Sequence, residues 1–399
     1  MNHHRIRLTI AVLFLFGVLE FDVRTQFRTQ YGDTKSAVAA PIDLSDECRT
    51  VGQIDRLEGE GSLLREGMSE TLTPGKRLCA GDRVQLTANA RAMAMCSADG
   101  TTRSFPVGMQ SLATSVCPGV LEECKDPESD PNSGCGRNLT EILEPNLPHI
   151  LSPRNTVLLT TQPQIRWEPV PGASRYTVTL ENAEEAVWGP IEVEGTEIAY
   201  GGDIPLAAGP SYTLTVTADN GSQSETRFHL LDESDRDRVM QLLAMQPTDE
   251  TAVIPPQVYV YADNDLFSEA IEILEMAIDN GNRSAAIYLQ LGQLYNETGL
   301  SFKAEEAYWE AIELATTEGN LKGQALAHTR LGQLYRYAGN LEDNLEGNLE
   351  GNLEGNLEGN LEAAIDRFSQ AQMLYEQAGE LDLAREVEAL LQKLQPSNN

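Results

Sequence analysis

Residues 285–315 read AAIYLQLGQLYNETGLSFKAEEAYWEAIELA, and much of that stretch returns as ALAHTRLGQLYRYAG over 325–339 and NLEAAIDRFSQAQMLY over 360–375. Each copy carries apolar residues at helical spacing on both sides of a Gly-containing turn, so each reads as helix-turn-helix. In the first copy the large residues Tyr288, Leu291, Tyr295 and Tyr308 alternate with Gly292, Ala304 and Ala311. In the second, His328, Leu331, Tyr335 and Phe368 alternate with Gly332, Ala364 and Ala371. Helices packed about 8–10 Å apart need small residues where their backbones cross and large ones to fill the flanking holes. A degenerate unit marked by Ala270, Leu274 and Ala277 precedes the two copies. The run LDLAREVEALLQKL at 381–394 supplies a closing helix that keeps the last apolar face from water. The C-terminal part, 257–396, is therefore expected to be an all-α helical array.

These units resemble the tetratricopeptide repeat at most of its signature positions. In that family the first helix of each pair lines a concave surface that binds protein segments. By position, the resemblance puts Leu289, Gln293 and Asn296 beside Thr329, Gln333, Arg336 and Tyr337. Amides, an arginine and an aromatic suit an extended peptide, whose backbone needs hydrogen-bond partners. A merely solvated inner face fits the same residues.

The second copy is interrupted. Tyr295 meets Ala304 nine residues on, whereas Tyr335 meets its counterpart Ala364 only after twenty-nine. The added twenty residues, near 340–362, are tandem Asn-Leu-Glu-Gly units. Read as a helix, a four-residue repeat advances 400°, so successive leucines drift by about 40° and form no stripe. Each unit also carries a Gly and an Asn, which disfavour helix by roughly 1.5 kcal/mol together. The tract reads as an expanded turn, and lengthening a turn from about 4 to about 24 residues costs only about 1.6 kcal/mol.

Upstream the period changes from helix to strand. Over 48–116, short runs alternate with Gly and Asp turns, and in Arg91–Ser97 the residues Ala92, Ala94 and Cys96 share one face while Met93 and Met95 share the other. The strand Gly61–Gly67, the turn bearing Gly75, Leu78, Gly81 and Asp82, and the Asp99-Gly100 corner resemble the extracytoplasmic FecR-type domain. A signalling role is not carried over, because no cytoplasmic anti-sigma segment precedes the apolar run at the N-terminus. Residues 117–154 have the Pro-, Gly- and Asn-rich composition of a linker. Over 155–231, β-rich runs such as SRYTVTLEN and SYTLTVTADNG come every eight to twelve residues, the spacing of a β-sandwich. Trp167, Tyr176, Val178, Leu180, Leu214, Val216 and Phe228 are its expected core. The stretches Trp167–Tyr176 and Leu206–Tyr212 resemble a fibronectin type III domain, and the resemblance implies a Tyr212 hydroxyl tied to nearby backbone. An acidic connector, 232–256, with a helical start, leads to the array.

The N-terminus has Arg5 and Arg7 before an apolar run, Leu8–Leu19. Twelve residues span about 18 Å as a helix, short of the roughly 30 Å bilayer core, which fits a signal peptide over 1–39. An uncleaved anchor fits as well, since the nearest Ala-x-Ala site ends only at Ala39. The six cysteines, Cys48, Cys79, Cys96, Cys117, Cys124 and Cys135, all fall within 48–135, as disulfides of an exported module would, and fifteen pairings are open. Their spacings are too wide for zinc. In Asp126, Glu128, Asp130 and Asn132, oxygen side chains alternate, but Pro131 stands where a calcium loop needs Gly, so a solvated loop is expected there.

With 61 acidic and 29 basic residues the net charge is -32, which opposes nucleic-acid binding. No phosphate-binding loop, nucleophile elbow or zinc-protease motif occurs. His149, His229 and His328 are isolated, and His328 occupies a packing position. The sequence thus points to an exported, periplasmic or secreted, non-enzymatic protein without cofactor or metal that binds a protein or peptide partner. A membrane-anchored sensor and an accessory subunit of an envelope enzyme are the alternatives.

Overall fold

The computed structural model describes residues 48–120, 146–247, 252–339 and 354–394. Its order is strands first and helices after: antiparallel sheets lead into a C-terminal helical region.

The first eight strands are β1 (Thr50–Glu58), β2 (Gly61–Arg65), β3 (Met68–Thr71), β4 (Arg77–Cys79), β5 (Arg83–Leu86), β6 (Arg91–Cys96), β7 (Thr102–Ser104) and β8 (Gln110–Leu112). They form two four-stranded antiparallel sheets, ordered β4-β1-β6-β7 and β3-β2-β5-β8. Strand β6 follows the alternation of its sequence: Ala92, Ala94 and Cys96 point inward and Met95 is exposed. A four-residue helix, α1 (Ala113–Val116), ends the region. Two disulfides staple it, Cys48 to Cys79 and Cys96 to Cys117, with Cα atoms 5.1 and 4.9 Å apart. Cys124, Cys135 and the acidic loop at 126–132 lie outside the described residues.

The next eight strands are β9 (Ile150–Ser152), β10 (Thr156–Leu158), β11 (Gln164–Trp167), β12 (Tyr176–Glu181), β13 (Ala186–Val193), β14 (Glu197–Ala199), β15 (Tyr212–Ala218) and β16 (Gln223–Leu230). A five-stranded sheet, β10-β16-β15-β12-β13, accompanies a three-stranded one, β14-β11-β9, antiparallel except where β10 runs parallel to β16. All seven expected core residues, from Trp167 to Phe228, are buried. The Tyr212 hydroxyl accepts from the Ala207 amide at 2.9 Å and donates to the Ala207 carbonyl at 3.0 Å. Strand β9 lies inside the stretch read as linker, because buried Ile150 gives it a core face that the surrounding prolines and asparagines disguise. Strand β13 has no counterpart in the sequence reading: it alternates only over Ile191–Val193, and the Gly189-Pro190 pair separates this from Val187 and Trp188.

The helical region comprises α2 (Glu233–Met245), α3 (Pro256–Ala262), α4 (Phe267–Asp279), α5 (Ala285–Glu297), α6 (Ser301–Glu318), α7 (Leu321–Gly339), α8 (Glu354–Gln377) and α9 (Leu381–Leu394). Asp232 caps α2 by accepting from the Asp235 amide, and Ser284 caps α5 by accepting from the Ile287 amide. The small residues sit at crossings: a β-carbon on Gly292 would lie 2.5 Å from the Tyr308 ring, and one on Gly332 would lie 2.8 Å from that of Phe368. Ala304, Ala311, Ala364 and Ala371 are fully buried.

The tract differs from its expected form. Helix α8 begins at Glu354, so the last tandem units are helical rather than part of a turn, while 340–353 lie outside the described residues. Nucleation is the costly step in helix formation. The packed segment around Ala364 and Phe368 offsets that cost, and the helix continues upstream of it through units of poor propensity.

The apolar cores do not follow the three regions of the sequence. One continuous core joins β1–β8 to α3–α9, running from Ile54 and Phe105 through Tyr259 and Leu291 to Phe368 and Leu390. The second group of strands keeps a core of its own. A small third cluster, Val157, Val239, Leu242, Val260 and Leu266, seals α2 and α3 against the edge of β10.

Candidate functional site

The junction of the first β region with the helices is built from polar groups set in the shared core. Arg103, on β7, is almost fully buried with Asp99, to which it is ion-paired. Its guanidinium also donates to the Val116 carbonyl at 3.2 Å and to the Gln290 side-chain oxygen on α5 at 3.3 Å. Burial opposes its charge, and Asp99 and Tyr259 beside it together more than compensate, so the net shift of its pKa is upward. Tyr259 on α3 adjoins Arg103, and burial pushes its phenol up to about 12, which keeps it neutral. Taking a charge out of water is costly unless it is paired and hydrogen-bonded, and Arg103 is both, through Asp99 and through its bonds to Thr101, Val116 and Gln290.

Farther along the same face, α7 holds a piece of backbone. Arg330 donates to the Gly119 carbonyl at 2.7 Å, and the Gln333 amide nitrogen donates to the Val120 carbonyl at 3.3 Å. Arg330 also donates to the Gln333 side-chain oxygen at 2.9 Å, so each side chain orients the other. Residues 117–120 are all buried there, Val120 at 1% exposure. At the end of α8 the Tyr375 hydroxyl donates to the Ala98 carbonyl at 2.9 Å. Four helices, α3, α5, α7 and α8, therefore meet the β region through residues 98–120.

Of the expected groove residues, Gln333 reaches another segment of chain, at Val120. Leu289 is buried in the shared core. The Thr329 hydroxyl is spent on its own helix, donating to the Ala325 carbonyl at 2.9 Å. Gln293 and Asn296 are half-buried. Arg336 lies over the Tyr337 ring, 5.0 Å from its centroid, and donates to its hydroxyl at 3.1 Å. The groups that sequence reasoning missed are Arg103, Arg154, Arg330, Gln290, Tyr259 and Tyr375. Arg330 was within reach of it: three residues before Gln333, it lies on the same stripe of α7.

A second junction ties the other β region to the turn between α5 and α6. Arg154, 1% exposed, donates to the Thr298 carbonyl at 3.0 Å, and Asn155 donates to the same oxygen at 2.9 Å. These carbonyls close the C-terminal end of α5, where a cation complements the helix dipole. Nearby, Arg166, Ser268, Ile271, Glu275, Tyr295 and Lys303 line a cavity of about 90 Å³. Its cations are balanced: Arg166 pairs with Glu275 at 3.0 Å and Lys303 with Glu168 at 2.9 Å. The Tyr295 hydroxyl donates to Glu275 at 2.8 Å, and burial followed by the Glu275 charge drives its pKa upward, leaving a neutral donor. On α4, Glu269 accepts from the Leu159 amide at 2.8 Å while its other carboxyl oxygen is buried without a hydrogen bond. Burial pushes this carboxyl up to about 7.

His328 packs edge-on to Trp309, and burial, then the Arg367 charge, lowers its pKa to about 4. Among the described residues no group of three His, Cys, Asp or Glu side chains is placed to hold a metal ion. Nor is any described helix long and apolar enough to cross a membrane. The two disulfides accord with an oxidising compartment outside the cytoplasm. No protein-family model matches the chain, and no curated protein gives a significant match to it.

Proposed function

We propose that the chain is an exported, non-enzymatic scaffold whose helices are a short tetratricopeptide array that binds an extended segment of a partner protein. On this reading the first β region is a FecR-like domain and the second a fibronectin type III-like sandwich. The observation that carries the proposal is the grip of Arg330 and Gln333 on consecutive backbone carbonyls. Side-chain donors aimed at main-chain acceptors recognise an extended chain with little regard to its side chains. The paired small and large residues at the helix crossings support the repeat assignment, as do β10 against β16 and the Tyr212 corner for the sandwich.

Crosslinking capture from the native envelope tests the proposal. The comparison is between the wild-type chain and a double variant, Arg336→Ala with Tyr337→Ala, at half-buried positions beside the clamp. A reproducible partner recovered by the wild type and reduced at least several-fold in the variant is expected. Identical recovery from both would count against a groove on this face.

A further inference from the structure

We propose that Cys117-Pro118-Gly119-Val120 is a built-in occupant of the α7 clamp, and that the clamp accepts an extended peptide of the same chemistry, a Pro-Gly pair followed by a β-branched residue, once this segment is displaced. The inference rests on the reading of the helices as a peptide-binding array and names the ligand class and its regulation.

Four observations converge on it. The segment is bound by side chains to its carbonyls, Arg330 to Gly119 and Gln333 to Val120, and not as a strand of a sheet. Cys117 is extended, with φ -109° and ψ 100°, so the segment enters the clamp as a stretched chain. Val120 is 1% exposed in the shared core, which gives the site an apolar anchor beside its polar grip. Finally, the Cys96–Cys117 disulfide fixes the start of the segment to β6, so docking orders few additional residues. Tethering gives such an occupant a high effective concentration, and a free peptide competes only to the extent that the clamp is empty.

The test uses the full chain and a labelled peptide, acetyl-Val-Ser-Pro-Gly-Val-Leu-amide, which copies Val116–Leu121 with serine in place of the disulfide-bonded cysteine. Fluorescence anisotropy is measured on the wild type, on Val120→Ser, and on Val120→Ser combined with Arg330→Met. Weakening the occupant should tighten peptide binding by about tenfold or more, since the apparent Kd scales inversely with the open fraction, and removing Arg330 should abolish the gain. Equal affinity for all three proteins, or no binding to Val120→Ser while its melting transition is intact, would overturn the proposal. Should the variants fail to fold, a photoreactive version of the peptide on the wild type at millimolar concentration decides the matter. Crosslinks mapping to 321–339 support the inference, and crosslinks elsewhere or none contradict it. Failure here leaves the envelope capture unaffected, because that experiment varies Arg336 and Tyr337 and leaves the occupant in place.

Discussion

The two β regions attach to the same helices in opposite ways. The first shares its apolar core with them, so Ile54 and Phe105 belong to one cluster with Leu291 and Phe368. The second keeps Trp167, Tyr176 and Phe228 in a separate core and reaches the helices through a small apolar cluster at Val157 and through polar contacts: Arg154 to carbonyls, Arg166 to Glu275 and Lys303 to Glu168. A shared core makes two regions one folding unit, whereas polar docking joins units that are already complete. Disulfides occur in the first region and not among the described residues of the second. Small β modules that cannot complete a core need such staples.

Separating the regions should have the largest effect. A fragment covering 146–231 is expected to fold and melt cooperatively. A fragment covering 48–120, stripped of the helices that complete its core, should show exposed apolar surface by dye binding and no cooperative transition. A cooperative transition in the second fragment would break the contrast. Reducing the disulfides comes next. They close loops of 31 and 21 residues, so each is expected to contribute about 3–4 kcal/mol. In urea unfolding with and without reductant, reduction should therefore lower the midpoint of the first region and its helices while leaving the transition of the second β region in place.

Arg154→Met probes the polar junction. It removes the guanidinium from the Thr298 carbonyl, to which Asn155 still donates, a loss of about 1.5–3 kcal/mol for hydrogen bonds to a charged group, and should free the second β region to move without unfolding it. Gly292→Ala probes the shared core instead: with a ring atom of Tyr308 2.5 Å from the new carbon, overpacking should cost about 1–3 kcal/mol, read as a lower midpoint of the helical transition. The smallest effect is at Glu269. Its carboxyl is raised to about 7 in the folded chain from an ordinary value near 4.5, so the protonated form is favoured by folding. The stability it contributes is complete below about pH 4.5 and is lost as pH rises through about 7. Glu269→Gln should flatten that part of the stability profile, as followed by the midpoint of thermal unfolding between pH 4 and 8.

Periodicity alone made part of this contrast legible. Gly292, Ala304 and Ala311 announced helix crossings, and the alternation of Ala92, Ala94 and Cys96 announced an inward face, because these patterns record local geometry. The merging of two cores was not legible, since an apolar face shows that something covers it and not what. Arg103, Arg154 and Arg330 escaped notice for a related reason: a charged residue reads as surface until its partner, well over a hundred residues away for Arg154 and Arg330, is brought beside it. Strand β13 presents only half-buried residues to the core, and Gly189-Pro190 interrupts their alternation, so its period is weak. The helical start of α8 shows propensity overridden by the packing of the segment that follows it.

Native-state hydrogen exchange on the intact chain, read by mass spectrometry across a series of low denaturant concentrations, tests the central claim most directly. If the first β region and the helices are one unit, peptides from β1 and β6 and from α5 and α7 will open with a common free energy and a common denaturant dependence, while peptides from β12 and β15 follow a separate one. Peptides from β1 and β6 that open at a lower free energy than those of α5 and α7, with their own denaturant dependence, would contradict it.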